Sequence, residues 1–218
     1  MKNLFLILHL LVGVIHLYHS WMDDKKRRAQ TKPFLMSTLA LFYVFSAAEV
    51  SWLLLLALAF SWLGDVLLIP KGHQWFTRGG ICFLISHILF MAVCFPHIRL
   101  EAVPWMLVFL LAPVYYGASL WVMQKVAPST PKSMAKPMGA YLLTNSTMNL
   151  LALIRMYSLR DLSSVVVYVG ALLFFISDCT LFFVRYYRDP EVIFKKHFTV
   201  MLTYLAGEFF ITLGILMQ

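Results

Sequence analysis

Hydrophobic residues run along the chain in long blocks that short polar segments separate. A block of about 17–25 apolar residues has the length of a helix that crosses a lipid bilayer. The pattern predicts eight such spans, at residues 4–21, 34–48, 51–70, 78–95, 102–124, 135–154, 163–185 and 196–216. No block remains for a soluble domain. We therefore predict an all-α polytopic membrane protein, a bundle of eight transmembrane helices in a single transmembrane helical domain over residues 1–218.

The composition agrees with this prediction. Of the 218 residues, 61% are hydrophobic and 13% are charged, whereas soluble domains average about 25% charged residues. A net charge of +8 is also typical of proteins that bind nucleic acid. However, the basic residues lie in short loops between apolar blocks, where membrane topology is the simpler cause. The expected partner is the lipid bilayer and not nucleic acid, and the oligomeric state stays open.

The distribution of lysine and arginine predicts the orientation. Fourteen of the 18 lie in or directly flank the loops that follow the odd-numbered spans, and four lie on the other side. Under the positive-inside rule the loops after odd-numbered spans are cytoplasmic, so both termini face outward. We interpret the chain as a multi-pass protein of a bacterial inner membrane.

Two aspartates interrupt the apolar blocks, Asp65 in "FSWLGDVLLIP" and Asp178 in "LLFFISDCTLFF". A charge at the bilayer centre costs about 2.5–3.5 kcal/mol on insertion scales, so such residues face a partner or a cavity. Asp65 precedes Pro70 by roughly 7–8 Å of helix, and Asp178 precedes Arg185 by roughly 10 Å. The two carboxylates are thus expected at similar depth in the cytoplasmic half, as a shared site requires.

Other polar residues reach the same layer. Tyr141, Asn145 and Asn149 are spaced i, i+4, i+8 on the sixth span and form one stripe. The stripe either lines a site or holds helices together by hydrogen bonds. The same two interpretations stay open for Glu208 in the eighth span and His87 in the fourth.

Four segments follow one another along the chain: "SWLGDVLL", "FLISHILF", "LLFFISDCTLFFVRY" and "VMLTYLAGEFFITLG". Together they resemble the YhhN-like family of lysoplasmalogenases. The family's glycine–aspartate matches Asp65, its serine–aspartate matches Asp178, its lysine–proline matches Lys32 and Pro33, and its tyrosine of the last span matches Tyr204. Glu208 stands where the family has glutamine.

The resemblance implies hydrolysis of the vinyl ether bond of a lysoplasmalogen, with Asp65 and Asp178 as catalytic residues and a lysophospholipid as substrate. Vinyl ethers hydrolyse by protonation at carbon, which needs a proton donor, an anion to stabilise the cation and a base for water. Two carboxyls in different surroundings can divide that work. We assign Asp178 as proton donor and Asp65 as base, with the reverse assignment open. No cofactor and no metal is expected.

The same chemistry predicts a substrate-binding set around the two aspartates. Lys32, at the cytoplasmic boundary, is expected to meet the substrate's phosphate as a point charge. Tyr141, Asn145 and Tyr204 are expected to position the glycerol and the water. The complete predicted set of substrate-binding residues is Lys32, His87, Tyr141, Asn145, Tyr204 and Glu208.

Two other classes of protein also fit the residues. Intramembrane acids relay protons in transporters, so a proton-coupled small-molecule transporter is one alternative. A metal-dependent membrane lipid amidase, with His87 and both aspartates as ligands, is the other. A metal site needs three or more converging ligands, and the right layer offers a single histidine.

Overall fold

The computed structural model describes residues 1–218, apart from the side chains of His97 and Pro190. The described chain is helical and contains no strand, which confirms the all-α prediction. The α-helices are α1 Lys2–Trp21, α2 Lys25–Ser46, α3 Trp52–Leu67, α4 His73–Cys94, α5 Trp105–Val126, α6 Lys132–Leu159, α7 Leu162–Tyr186 and α8 His197–Leu216. Short 3₁₀ turns lie at Phe95–His97, Leu100–Ala102, Ala127–Ser129 and Pro190–Val192.

Five helical segments are long and apolar enough to cross a membrane: Lys2–Trp21, His73–Cys94, Trp105–Ser129, Leu162–Tyr186 and His197–Leu216. These segments make the chain a multi-pass membrane protein. Helix α3 is apolar but has 16 residues. Helices α2 and α6 carry lysines in their first turns and further polar residues, which lower their hydropathy. The eight-span topology and its orientation therefore stay predictions.

The chain divides into two compact units. The first unit, Met1–Val93, contains helices α1 to α3 and nearly all of α4. The second unit, Cys94–Gln218, contains α5 to α8. Each unit buries one of the two aspartates.

Helix α2 of the first unit begins earlier than the predicted span. The span was expected to begin at residue 34, yet the helix begins at Lys25, because the Asp24 carboxylate caps it by accepting from the Arg27 amide at 3.1 Å. Lys32 and Pro33 consequently lie inside α2 and not at its start. The Pro33 carbonyl accepts a hydrogen bond from Trp62 Nε1 at 2.8 Å, which ties α3 to α2 beside Asp65.

Helices α7 and α8 of the second unit touch through glycines. A Cβ atom added at Gly207 would come within 2.9 Å of the Gly170 carbonyl oxygen and of the Phe174 amide nitrogen. Real Cβ atoms do not approach backbone so closely, so only glycine permits this helix contact. The contact sets α8 against the helix that carries Asp178.

Replacing Gly207 with alanine is expected to destabilise the protein by about 1–3 kcal/mol, the usual cost of overpacking a core. The measurement is the free energy of unfolding in mixed detergent micelles. Gly117→Ala is the matched control, because nothing lies within 4 Å of a Cβ at that position. Equal stability of the two variants would show that α7 and α8 can separate at no cost.

Candidate active site

Asp65 lies in the last turn of α3 and is 1% exposed. Lys32 of α2 reaches it, with 3.2 Å between Lys32 Nζ and Asp65 Oδ1. The Lys32 side chain keeps 16% of its surface exposed. The pair therefore joins a buried carboxylate to a cation that still touches the surroundings of the first unit.

The neighbouring ammonium gives Asp65 an opposite charge inside the first unit. A carboxylate out of water is costly unless an opposite charge compensates it, and Lys32 supplies that charge. An ionised carboxylate can accept a proton or stabilise a nearby cation.

Serines hold α3 in place against α4. Ser61 Oγ lies 2.8 Å from Ser86 Oγ, and Ser86 Oγ also donates to the Ala57 carbonyl at 2.9 Å. All three residues are buried. These hydrogen bonds fix the face of α3 one turn before Asp65, so the carboxylate has a defined position within its unit.

His87 lies in the core of the first unit and is 0% exposed. Its Nδ1 atom bonds the Phe83 carbonyl oxygen at 2.6 Å, one turn earlier in α4. The hydrogen bond turns this side of the ring towards the helix that carries it. A substrate-binding role for His87 stays a prediction.

Asp178 lies in α7 and is 4% exposed. Its Oδ2 atom accepts two hydrogen bonds from α6, from Tyr141 Oη at 2.8 Å and from Asn145 Nδ2 at 2.7 Å. The i, i+4 spacing puts both donors on one face of α6. Because Oδ2 accepts both bonds, an acid proton on this carboxyl belongs on Oδ1.

The third residue of the stripe orients the second. Asn149 Nδ2 donates to the Asn145 carbonyl at 3.0 Å and to Asn145 Oδ1 at 3.1 Å. With its Oδ1 accepting there, the Asn145 amide turns its nitrogen towards Asp178. Asn145 and Asn149 are both 0% exposed. The stripe thus acts as a support for Asp178.

Aromatic rings and a second acid complete the surroundings of Asp178. Tyr141 meets Phe182 edge to face, with ring centroids 5.6 Å apart, and Tyr204 meets Phe174 in the same way at 5.4 Å. Glu208 is 0% exposed and lies close enough to Tyr141 to act on it electrostatically. Asp178, Tyr141 and Glu208 therefore form one polar group inside an apolar unit.

The predicted site residues thus fall into three groups. In the first unit, Lys32 joins Asp65; in the second, Tyr141 and Asn145 join Asp178, with Glu208 close by. His87 is buried in the first unit and Tyr204 in the second. Among the described residues, no group of three or more histidines, cysteines, aspartates or glutamates could hold a metal ion.

Sequence reasoning missed the ion pair between Lys32 and Asp65 and gave Asn149 no role of its own. Lys32 was expected at the interface, facing the substrate's phosphate. A lysine roughly level with an intramembrane acid was the available signal for the pair. The signal for Asn149 was its place at i+4 from Asn145.

Helical spans with buried acids define the class, a multi-pass membrane protein with polar groups fixed inside it. The chain belongs to the YhhN family, whose model matches residues 27–215 and so runs through both units. This family includes lysoplasmalogenases. No curated protein and no solved structure matches the chain.

Proposed function

We propose that this chain is a lysoplasmalogenase, which hydrolyses the vinyl ether bond of a lysoplasmalogen to a fatty aldehyde and a glycerophospho-ethanolamine or -choline. Family membership supports a hydrolase of this kind. The observation that carries the proposal is the pair of buried aspartates, each fixed by polar side chains of another helix. Buried polar groups of this cost are typical of function in membrane proteins.

The two aspartates have surroundings that suit different roles. Asp178 is assigned as the general acid, because Phe174 and Phe182 flank it one turn before and one turn after on α7. Its Oδ2 atom also already accepts two hydrogen bonds. Its Oδ1–H would protonate the vinyl carbon remote from oxygen, which leaves an oxocarbenium ion. Asp65, kept ionised by Lys32, is assigned as the base that takes a proton from the attacking water.

These assignments return the protein to its starting state. Water adds to the oxocarbenium carbon and gives a hemiacetal, and its proton passes to Asp65. The hemiacetal then breaks at the carbon–oxygen bond to glycerol. Asp65 returns its proton to the leaving oxygen, and the Asp178 carboxylate takes the hydroxyl proton of the hemiacetal. One water is consumed for each aldehyde released.

Binding roles follow from charge and position. Lys32 is assigned to the phosphate of the substrate, because its partly exposed ammonium can meet an anion while it pairs with Asp65. Tyr141, Asn145 and Tyr204 are assigned to the glycerol and the water, with His87 and Glu208 as further substrate contacts. We place the protein in a bacterial inner membrane, with the basic loops on the cytoplasmic side.

An Asn149→Leu variant tests the supporting role of the stripe. Leucine removes the amide that orients Asn145. The bond from Asn145 to the Asp178 carboxylate should then weaken, and we expect kcat to fall about tenfold, roughly the effect of one buried hydrogen bond. KM should change little, because Asn149 has no assigned contact with substrate. The measurement is fatty aldehyde released by the purified variant.

Thr144→Val is the matched control for that variant. Thr144 lies on the same helix, and its hydroxyl donates to the Ala140 carbonyl of that helix. Its activity is expected to stay within about twofold of the unchanged protein. An Asn149→Leu variant with full kcat would remove the support from the mechanism.

A further inference from the structure

Arg155 is a charged side chain that the proposed reaction does not use. It lies near the end of α6 and is 0% exposed. None of its nitrogens, Nε, Nη1 or Nη2, has a hydrogen-bond partner among the described residues. A guanidinium carries five N–H donors and stays protonated in proteins. Burial of such a group without a partner is costly, so a ligand with acceptor atoms would stabilise it.

The groups that act electrostatically on Arg155 do not supply the missing hydrogen-bond acceptors. Cys94 and Asp161 both lie close enough to act on Arg155 electrostatically. However, Asp161 Oδ1 already accepts from Ser163 Oγ at 2.9 Å and from the Ser164 amide at 2.8 Å, where it caps α7. A thiol is a weak acceptor. Neither group gives the guanidinium the two parallel acceptors that its planar fork fits.

A short segment covers this end of α6. The turns Phe95–His97 and Leu100–Ala102 contact the helix, and Ser158 Oγ bonds the Arg99 amide at 3.0 Å and the Arg99 carbonyl at 3.2 Å. Ile98 and Val103 pack against the same core cluster as Ile154. Arg160 Nη2 also donates to the Ala102 carbonyl of this segment at 3.4 Å. Access of a ligand to the guanidinium therefore requires a local shift of the segment.

We propose that Arg155 binds a phosphate group at this end of the second unit. Two phosphate oxygens match the guanidinium fork, and phosphate is the anion that a membrane surface supplies in quantity. Arg99 and Arg160 are exposed at the same end. Their charges attract an anion but are screened by water. The ligand is a phospholipid headgroup or free phosphate, which share this chemistry.

The site is separate from the polar group around Asp178. Arg155 lies ten residues beyond Asn145 on α6, which is about 15 Å along a helix. Asn145 is the residue of α6 that holds the Asp178 carboxylate. Phosphate binding at Arg155 can therefore be measured without any assay of activity, and its outcome does not depend on the proposed reaction.

The test uses the full chain, purified in a neutral detergent and freed of bound lipid. Its Tm is followed with increasing phosphatidylglycerol, with inorganic phosphate, and with diacylglycerol, which lacks phosphate. We expect a saturable rise in Tm with phosphatidylglycerol and none with diacylglycerol. A rise with inorganic phosphate too identifies the phosphate alone as the ligand, and its absence identifies the lipid headgroup.

Variants decide whether Arg155 is responsible. Arg155→Gln is expected to weaken binding at least about tenfold, the loss typical of a charge-assisted hydrogen bond. If that variant fails to fold, Arg155→Lys keeps the charge, loses the fork and is expected to bind several-fold more weakly. Lys132→Gln, an exposed control at the other end of α6, should bind within about twofold of the unchanged protein. The proposal would be overturned if neither phosphatidylglycerol nor inorganic phosphate changed the Tm. It would also be overturned if the folded Arg155 variants bound with unchanged affinity.

Discussion

An Asp178→Asn variant is expected to release fatty aldehyde about a thousandfold more slowly than the unchanged protein, within the usual contribution of a general acid of about 10²–10⁴. Asparagine has nearly the shape of aspartate, and its Oδ1 atom can still accept from Tyr141 or Asn145. It cannot donate an acid proton to carbon. The loss should therefore appear in kcat while the protein stays folded, as measured by its Tm in detergent.

Asp189→Asn is the matched control for this variant. Asp189 lies in the same unit, is exposed, and accepts a hydrogen bond from the Glu191 amide at 3.2 Å. The same chemical change there is expected to leave the rate within about twofold. If Asp178→Asn kept the full rate, Asp178 would not be the acid, and the open assignment of that role to Asp65 would be examined next.

The second large effect is expected from the ion pair of the first unit. Lys32→Met leaves a buried carboxylate without its cation, and breaking a buried pair on one side costs about 3–5 kcal/mol. We expect a loss of about 3 kcal/mol in the free energy of unfolding, at the lower end, because the Lys32 side chain is 16% exposed. Unfolding in mixed detergent micelles measures it.

A double variant separates the stability that comes from the ion pair from the stability that each side chain contributes alone. Lys32→Met with Asp65→Asn removes both charges, so it is expected to recover about half of the stability lost in Lys32→Met. The double variant should lack activity, because it no longer has the assigned base Asp65. A double variant less stable than Lys32→Met would mean that the 3.2 Å contact contributes little to the fold.

Local pattern predicted the helices well and their ends less well. Hydropathy found the apolar part of α2, yet the helix begins at Lys25, because the Asp24 cap and the first charged turns carry no hydropathy signal. The hydropathy pattern predicts that the span begins just after Pro33, whereas Pro33 lies inside the helix. Cap chemistry extends a helix beyond its apolar part.

The sequence predicts those parts of the site that depend only on the spacing of residues along one helix. Tyr141 and Asn145 share a face at i, i+4, and they do bond one carboxylate. That this carboxylate is Asp178 follows from the packing of α6 on α7, which periodicity does not contain. Arg155 shows the same limit. The distribution of basic residues along the sequence predicts a loop position for it, whereas the structure buries it in α6.

The most direct test of the account is incubation of the purified full chain with lysoplasmenyl-ethanolamine, followed by detection of fatty aldehyde. The account predicts aldehyde and glycerophosphoethanolamine in equal amounts. It also predicts no product from the lysolipid with a saturated ether, which has no double bond to protonate. Absence of aldehyde, or full activity in both the Asp65→Asn and the Asp178→Asn variant, would contradict it.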